Sequence, residues 1–163
     1  MSIELEVKLG TRTISRQSYR DSVAEEWRSR FPSDPIAYAS AGPSESSVLG
    51  GSAAVFSFAV GDRALIECTC YSAGPVELLG EDGGWWVTHT VVHRTPESFM
   101  LMLIACVCMA RALEASILDE SCLLGKQRYV QYSEVLSELE QVSGKPLARA
   151  SREICERFDM GFV

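Results

Sequence analysis

The sequence lacks most of the short patterns that announce a chemistry. Its 163 residues include only two histidines, and no serine stands in the G-x-S-x-G elbow of the α/β-hydrolases. The glycine-containing stretch VLGGSAAV, residues 48–55, has neither the glycine spacing of a phosphate-binding loop nor its lysine. These absences argue against the best-marked classes of hydrolase and nucleotide-binding protein, and the residues indicate no cofactor.

Long apolar runs and a secretory start are also missing. The longest run, residues 99–110, has twelve apolar residues, whereas a membrane-spanning helix needs about 20. Polar positions return at Arg111 and Glu114, so we interpret the run as a helix buried in the core, with an exposed partner-binding helix as the alternative. The first ten residues, MSIELEVKLG, alternate polar and apolar positions and lack the pattern of a secretory signal. We therefore expect a cytoplasmic protein.

Acidic residues are concentrated in one stretch. The net charge is −7, and residues 32–82 hold seven acidic groups and one basic group, Arg63, so they contribute six of the seven net negative charges. Such a field repels nucleic acids and membrane surfaces and attracts a basic protein. Solubility alone is the other explanation of this charge.

The hydrophobic pattern predicts an α+β fold in a single domain, residues 1–163. Alternation over residues 3–9 and in the stretches AAVFSFAV, RALIECTCYS and GWWVTHTVVHR predicts strands, and SILD, residues 116–119, is read as a further short strand. A period near four residues predicts helices over 19–31, 133–143 and 147–158, the second with Ser133 as its N-cap. A Pro-, Ser- and Gly-rich connection spans about residues 33–52. We expect a mainly antiparallel sheet of about four to six strands, with one face packed on the apolar helix and the other partly wet.

Cysteine and histidine offer two possible chemistries. The pairs Cys68-x-Cys70 and His89-x3-His93 fall on neighbouring predicted strands, but four strand positions separate two residues by about 13 Å, too far for one tetrahedral zinc. A cysteine nucleophile with a histidine base and Glu67 is the second arrangement, although Glu67 should point away from Cys68. We favour free cysteines that pack as small hydrophobes, because the cytosol keeps thiols reduced, and we expect no catalytic or metal-binding residue.

Residues 83–141 resemble part of a known group of proteins. The stretch GGWWVTHTVVHRTPESFMLMLIACVCMARALEASILDES, followed by YSEVLSELEQ, resembles a layout of immunity proteins from bacterial contact-dependent and other polymorphic toxin systems. In that layout a strand leads into a long apolar helix with an Ala-Arg-Ala-Leu-like end, then a short strand, then a serine-capped helix. The resemblance implies a small cytoplasmic protein that binds one cognate toxin domain, such as a basic nuclease, and blocks it without catalysis.

The residues most suited to such a partner are acidic or aromatic. Acidic side chains in loops and turns suit a basic toxin. Tyr71 and Trp86 are candidate anchors, because aromatic residues are favoured at interfaces. Alternation along the strand should direct one of Trp85 and Trp86 inward and the other outward. Asp119 and Glu120 end a predicted strand and are expected to face the partner. The full set of candidate partner-binding residues is Glu45, Asp62, Glu67, Tyr71, Glu81, Asp82, Trp86, Asp119 and Glu120.

Two other functions stay open. The first is a secretion chaperone or accessory protein, which holds an exported effector. Such proteins have the same small size, acidity and mixed α/β pattern as this chain, and a protein of this kind would be a homodimer. A small enzyme based on His89, His93 and a cysteine is the third reading. The sequence leaves the oligomeric state, monomer or homodimer, undecided, and it indicates neither nucleic acid nor a membrane as a partner.

Overall fold

A computed structural model describes residues 2–40, 47–125 and 127–161. The elements follow one another as β1 (Glu4–Gly10), β2 (Ile14–Ser15), α1 (Arg16–Arg30), β3 (Ala37–Ser40), β4 (Val48–Leu49), β5 (Ala54–Val60), β6 (Ala64–Ser72), α2 (Val76–Leu79), a 3-10 turn (Gly80–Asp82), β7 (Trp85–Val91), α3 (Pro96–Leu113), β8 (Ser116–Leu118), β9 (Tyr129–Gln131), α4 (Tyr132–Gln141) and α5 (Leu147–Arg157).

The main sheet has seven strands in the order β3-β5-β6-β7-β1-β8-β9, and every neighbouring pair is antiparallel. Strands β2 and β4 form a separate two-stranded sheet. The predicted α+β fold is confirmed, with one strand more than the upper expectation. Strand β9 was not predicted from the sequence.

Helix α3 is the centre of the core, as its composition predicted. It contacts the strands β1, β6, β7 and β8 and the helices α1, α4 and α5, and this covering by other elements explains why it is apolar all round. Thr95 begins the helix by accepting a hydrogen bond from the Ser98 N–H at 3.1 Å. By length and composition this 18-residue helix could cross a membrane, but 78% of it is buried inside the protein.

Helix α1 packs beside α3 on the same face of the sheet. The side chain of Ser15 caps its first turn by accepting from the Ser18 N–H at 3.2 Å. The residues predicted to face the core, Tyr19, Val23 and Trp27, are buried. The helix ends before Pro32, as the restriction that proline places on the preceding residue predicts.

Helix α4 begins differently from the prediction. Ser133 was expected to cap it, but the helix already starts at Tyr132, and Gln131 precedes it without a side-chain cap. The reason is that β9 runs directly into the helix, so the pairing of β9 with β8 fixes the chain direction there.

The Pro-, Ser- and Gly-rich connection carries short strands at both of its described parts. Strand β3 pairs with β5 at one edge of the main sheet, and β4 pairs with β2. Residues 41–46, which include the candidate Glu45, lie outside the described residues.

Candidate functional site

The sheet has two different faces, and only one of them packs on helices. Along β6, Ile66, Cys68 and Cys70 are fully buried on the helix side, whereas Glu67 and Tyr71 point the other way and are exposed or half-buried. The strand registers place a set of side chains on this second face, which we call the open face: Glu4, Glu6, Lys8, Ser57, Glu67, Thr69, Tyr71, Trp86, Thr88, Thr90, Leu118 and Tyr129.

Most of the open face is accessible. All its side chains are exposed or half-buried except those of Trp86 and Leu118, and Tyr129 is 48% exposed. It therefore offers a regular surface to another molecule, and it confirms the expected wet face of the sheet.

A carboxylate lies at the centre of the open face in a fixed position. The Glu6 Oε1 atom accepts hydrogen bonds from the Tyr71 hydroxyl at 2.9 Å and from the Thr88 hydroxyl at 2.6 Å. Burial raises the pKa of Tyr71 to about 12, and the adjacent Glu6 carboxylate adds to the shift. Tyr71 thus stays a neutral donor at physiological pH and holds Glu6 in one orientation.

Trp86 lies on the open face but is only 6% exposed. Its ring is covered in part by Lys8, whose ammonium lies 5.5 Å from the ring centroid. Together with Glu81, Leu118 and Tyr129 these residues line a depression of about 410 Å³. Trp86 therefore forms the wall of a hollow, and little of its ring is exposed for a partner to contact.

A pair of opposite charges borders this hollow. Arg128 donates to Glu120 at 2.8 Å, and its guanidinium lies 5.9 Å from the Tyr129 ring centroid. Glu67, in contrast, forms no ion pair and no side-chain hydrogen bond among the described residues, so its carboxylate is available to another molecule.

The structure gathers several of the candidate partner-binding residues and separates others. Glu67, Tyr71, Trp86, Glu81 and Glu120 lie on the open face or at its border, and Asp82 is in the same turn as Glu81. Asp62 lies apart from them, in the turn between β5 and β6 at the opposite end of the strands from Asp82.

Asp119 does not face a partner, which corrects the prediction. Its side chain is fully buried, and its Oδ2 atom accepts a hydrogen bond from the Leu124 N–H at 2.6 Å. The carboxylate turns inward because it satisfies this backbone donor of the loop after β8. The neighbouring Glu120 is exposed, as expected.

The histidine and cysteine candidates are divided between the core and the surface. The His89 Nε2 atom lies 2.8 Å from the Tyr19 hydroxyl, which also donates to the Ala105 carbonyl at 3.2 Å. His89 and Cys68 have no exposed surface, whereas His93 is exposed and lies beyond the end of β7. The two histidines therefore do not converge, and no three His, Cys, Asp or Glu side chains of residues 2–40, 47–125 and 127–161 are grouped as metal ligands.

Burial suppresses the ionisation of His89 and Cys68. It lowers the pKa of His89 to about 4, and the carbonyl groups of Leu5 and Val87 oppose the shift only partly. It also raises the pKa of the Cys68 thiol well above its usual value, with a smaller contribution from Glu67. Both groups are neutral at physiological pH, and a protonated thiol is a poor nucleophile.

The other cysteines follow the expected pattern with one exception. All six are free thiols, and Cys70, Cys106, Cys108 and Cys155 are buried like Cys68. Cys122 is exposed in the loop after β8, contrary to the expectation that every cysteine packs in an apolar environment.

Several residues of the open face were not singled out from the sequence. The alternation in β1 placed Glu4, Glu6 and Lys8 on the polar side of that strand, but their neighbours became known only from the strand order. Tyr129 had no signal, because β9 was not predicted. Comparison with known proteins adds no relationship: no family model, curated protein or solved structure matches this chain.

Proposed function

We propose that this chain is a non-catalytic immunity protein, which binds a cognate bacterial toxin domain through the open face and blocks it. The observation that carries the proposal is the open face itself: an accessible face of a seven-stranded sheet with carboxylates and aromatic rings on it. Faces of this kind, with aromatic residues near a polar border, suit protein partners.

The charge of the open face indicates the chemistry of the partner. Glu4, Glu6 and Glu67 lie on it, with Glu81 and Glu120 at its border, and these five carboxylates outnumber the three cations Lys8, Arg12 and Arg128. An acidic surface speeds the approach of a basic protein and penalises other acidic partners. A toxin domain with a basic cleft, such as a nuclease, fits this surface.

The rigidity of the open face supports a binding role. Glu6 is held by two hydroxyl donors from neighbouring strands, and it sits on a central strand of the sheet, between β7 and β8. Because this geometry exists before the partner arrives, little conformational entropy is lost on binding. The buried positions of His89 and Cys68 favour this role over an enzyme built on those residues.

The test is a pull-down of the tagged chain from the organism that encodes it, in moderate salt. We expect one basic polypeptide in a one-to-one ratio, which is toxic when expressed alone and harmless when expressed with this chain. The variant Glu67→Lys should retain much less of it, while the control Glu25→Lys, an exposed change on α1, should retain as much as the unchanged chain.

Two results would contradict the proposal. A bound metal or small molecule without any polypeptide would favour the small enzyme based on His89, His93 and a cysteine. Retention of an unfolded, non-toxic segment by a homodimer of this chain would favour the secretion chaperone.

A further inference from the structure

The connection between β6 and β7 is a structured projection with an apolar tip. It comprises residues 73–84, which we call the β6–β7 projection, and includes α2 and the 3-10 turn. Leu78 at its tip is 80% exposed, the highest value among the exposed large hydrophobic side chains of the described residues. Exposing so much of a leucine to water is unfavourable, so the fold gains nothing from leucine at this position.

The backbone of the projection is fixed by its own hydrogen bonds. The Ala73 N–H donates to the Gly84 carbonyl at 2.9 Å, and the Gly84 N–H donates to the Gly74 carbonyl at 2.8 Å. The Leu79 N–H closes the short helix by donating to the Pro75 carbonyl at 3.0 Å. Leu78 is therefore presented on a preformed support.

Close packing locks the base of the projection to the sheet. Gly84 has a φ of +92°, and a Cβ atom there would lie 2.7 Å from the Gly10 carbonyl oxygen. At the other end, Leu79 packs over Gly74, where an added Cβ would come within 2.8 Å of its Cδ1 atom. Glycine is required at position 84 by this approach to the backbone of Gly10, and at position 74 by its φ of +121°.

The charged residues within the projection all have one sign, whereas Lys8 and Arg12 lie at its base, where they line a depression together with Glu81. The projection contains Glu77, Glu81 and Asp82 and no lysine or arginine, and these three carboxylates are exposed. The projection is also continuous with the open face, because Glu81 lines the depression that Trp86 and Tyr129 border.

We propose that Leu78 is an anchor that inserts into an apolar pocket on the partner protein, and that lysine and arginine side chains around this pocket face Glu77, Glu81 and Asp82. This inference rests on the proposed function and specifies the partner's surface. A basic cleft with an apolar floor is the matching shape, so the projection enters that cleft while the open face covers its border.

The two kinds of contact should affect different rate constants. Loss of an apolar anchor mainly speeds dissociation, and Leu78→Ala should weaken binding about ten- to hundredfold at any salt concentration. Loss of the carboxylates in Glu77→Gln/Glu81→Gln/Asp82→Asn should slow association at low salt and have little effect at high salt, where charges are screened.

The experiment measures binding kinetics with the polypeptide that co-purifies with the unchanged chain, immobilised as the probe. Val92→Ala is the matched control for Leu78→Ala, because Val92 is also an exposed apolar residue, at 46%, but follows β7 at the opposite end of the sheet. A triple change of Glu25, Glu134 and Glu156 to glutamine, all exposed on helices, controls for loss of charge. Thermal unfolding of each variant checks that it is folded.

The possible results separate this inference from the proposed function. Faster dissociation for Leu78→Ala alone, with slower low-salt association for the projection triple variant alone, supports the anchor. If Leu78→Ala binds within twofold of the unchanged chain, or Val92→Ala loses as much, the anchor is refuted while the proposed function stands. If no polypeptide co-purifies with the unchanged chain, both proposals fail.

Discussion

The imidazole of His89 and the hydroxyl of Tyr19 meet at 2.8 Å inside the core, and they join the central strand β7 to helix α1. Both side chains are almost completely buried, at 0% and 1% exposure. A polar pair in this position gives the core a directional contact between sheet and helix, and it makes the stability of the fold sensitive to protonation of the histidine.

The free energy of unfolding should fall as the pH is lowered from about 6.5 to about 4 because of His89. The pKa of His89 is about 4 in the folded protein, whereas the usual value for histidine, which applies to the unfolded chain, is 6.5. Between these two values the unfolded chain therefore binds a proton that the folded chain does not. The full loss below pH 4 is about 3 kcal/mol. Above pH 6.5 the effect is absent.

Denaturant unfolding of the unchanged chain and of His89→Gln across this pH range measures the effect, because other titrating groups cancel in the difference. His93→Gln is the matched control, since His93 is the other histidine and is exposed. Parallel pH profiles for the unchanged chain and His89→Gln would contradict the assignment.

The elements that could be predicted are those whose pattern lies within one segment. Alternation in β6 separates Ile66 and Cys68 from Glu67 on opposite faces, and the spacing in α1 puts Tyr19 and Trp27 in the core. Such patterns reflect the side-chain geometry of a single strand or helix, and the structure confirms them.

The features that escaped prediction depend on contacts outside a single strand or helix. Trp86 points to the open face as alternation allows, but Lys8, far away along the chain, covers its ring. Asp119 turns inward because the Leu124 N–H needs an acceptor. Hydrogen bonds and packing of this kind are set by strand order and loop shape, which composition and periodicity do not encode.

The buried carboxylate of Asp119 should be important for stability. Asp119→Ala leaves the Leu124 N–H without its acceptor, so we expect the free energy of unfolding to fall by about 1–3 kcal/mol. Asp119→Asn retains an acceptor oxygen and should lose less. Urea unfolding measures both, and Glu120→Ala, whose ion pair with Arg128 is exposed, should change stability by about 0.5 kcal/mol or less. Equal losses at positions 119 and 120 would contradict this account.

The hydrogen bond from Tyr71 to Glu6 should stabilise the open face. Tyr71→Phe removes one of two donors to the Glu6 carboxylate and should lower the free energy of unfolding by about 1 kcal/mol. Since Thr88 donates to the same oxygen, the loss in Tyr71→Phe/Thr88→Val should differ from the sum of the single losses. Tyr132→Phe, on the half-buried first residue of α4, is the control in these urea titrations. Strict additivity would show that the two hydroxyls act independently.

The approach of Gly84 to Gly10 should be the most sensitive point of the β6–β7 projection. In Gly84→Ala the new Cβ atom would meet the Gly10 carbonyl oxygen at 2.7 Å, and the residue would keep a φ of +92°. Backbone atoms cannot move aside as a flexible side chain can, so either β1 and β7 separate locally or the projection changes shape. We expect a loss of about 2 kcal/mol or more in the free energy of unfolding.

Thermal and urea unfolding test this expectation, with Gly51→Ala as the control, because Gly51 has no atom within 4 Å of an added Cβ and no positive φ. The two proposals also give Gly84→Ala a second consequence. Leu78 is exposed and contributes little to folding, so Leu78→Ala should weaken binding to the partner without lowering stability. Gly84→Ala should lower both the stability and the affinity for the partner, because it displaces the support that presents Leu78. A Gly84→Ala variant as stable as the unchanged chain would mean that the projection is not held by this contact.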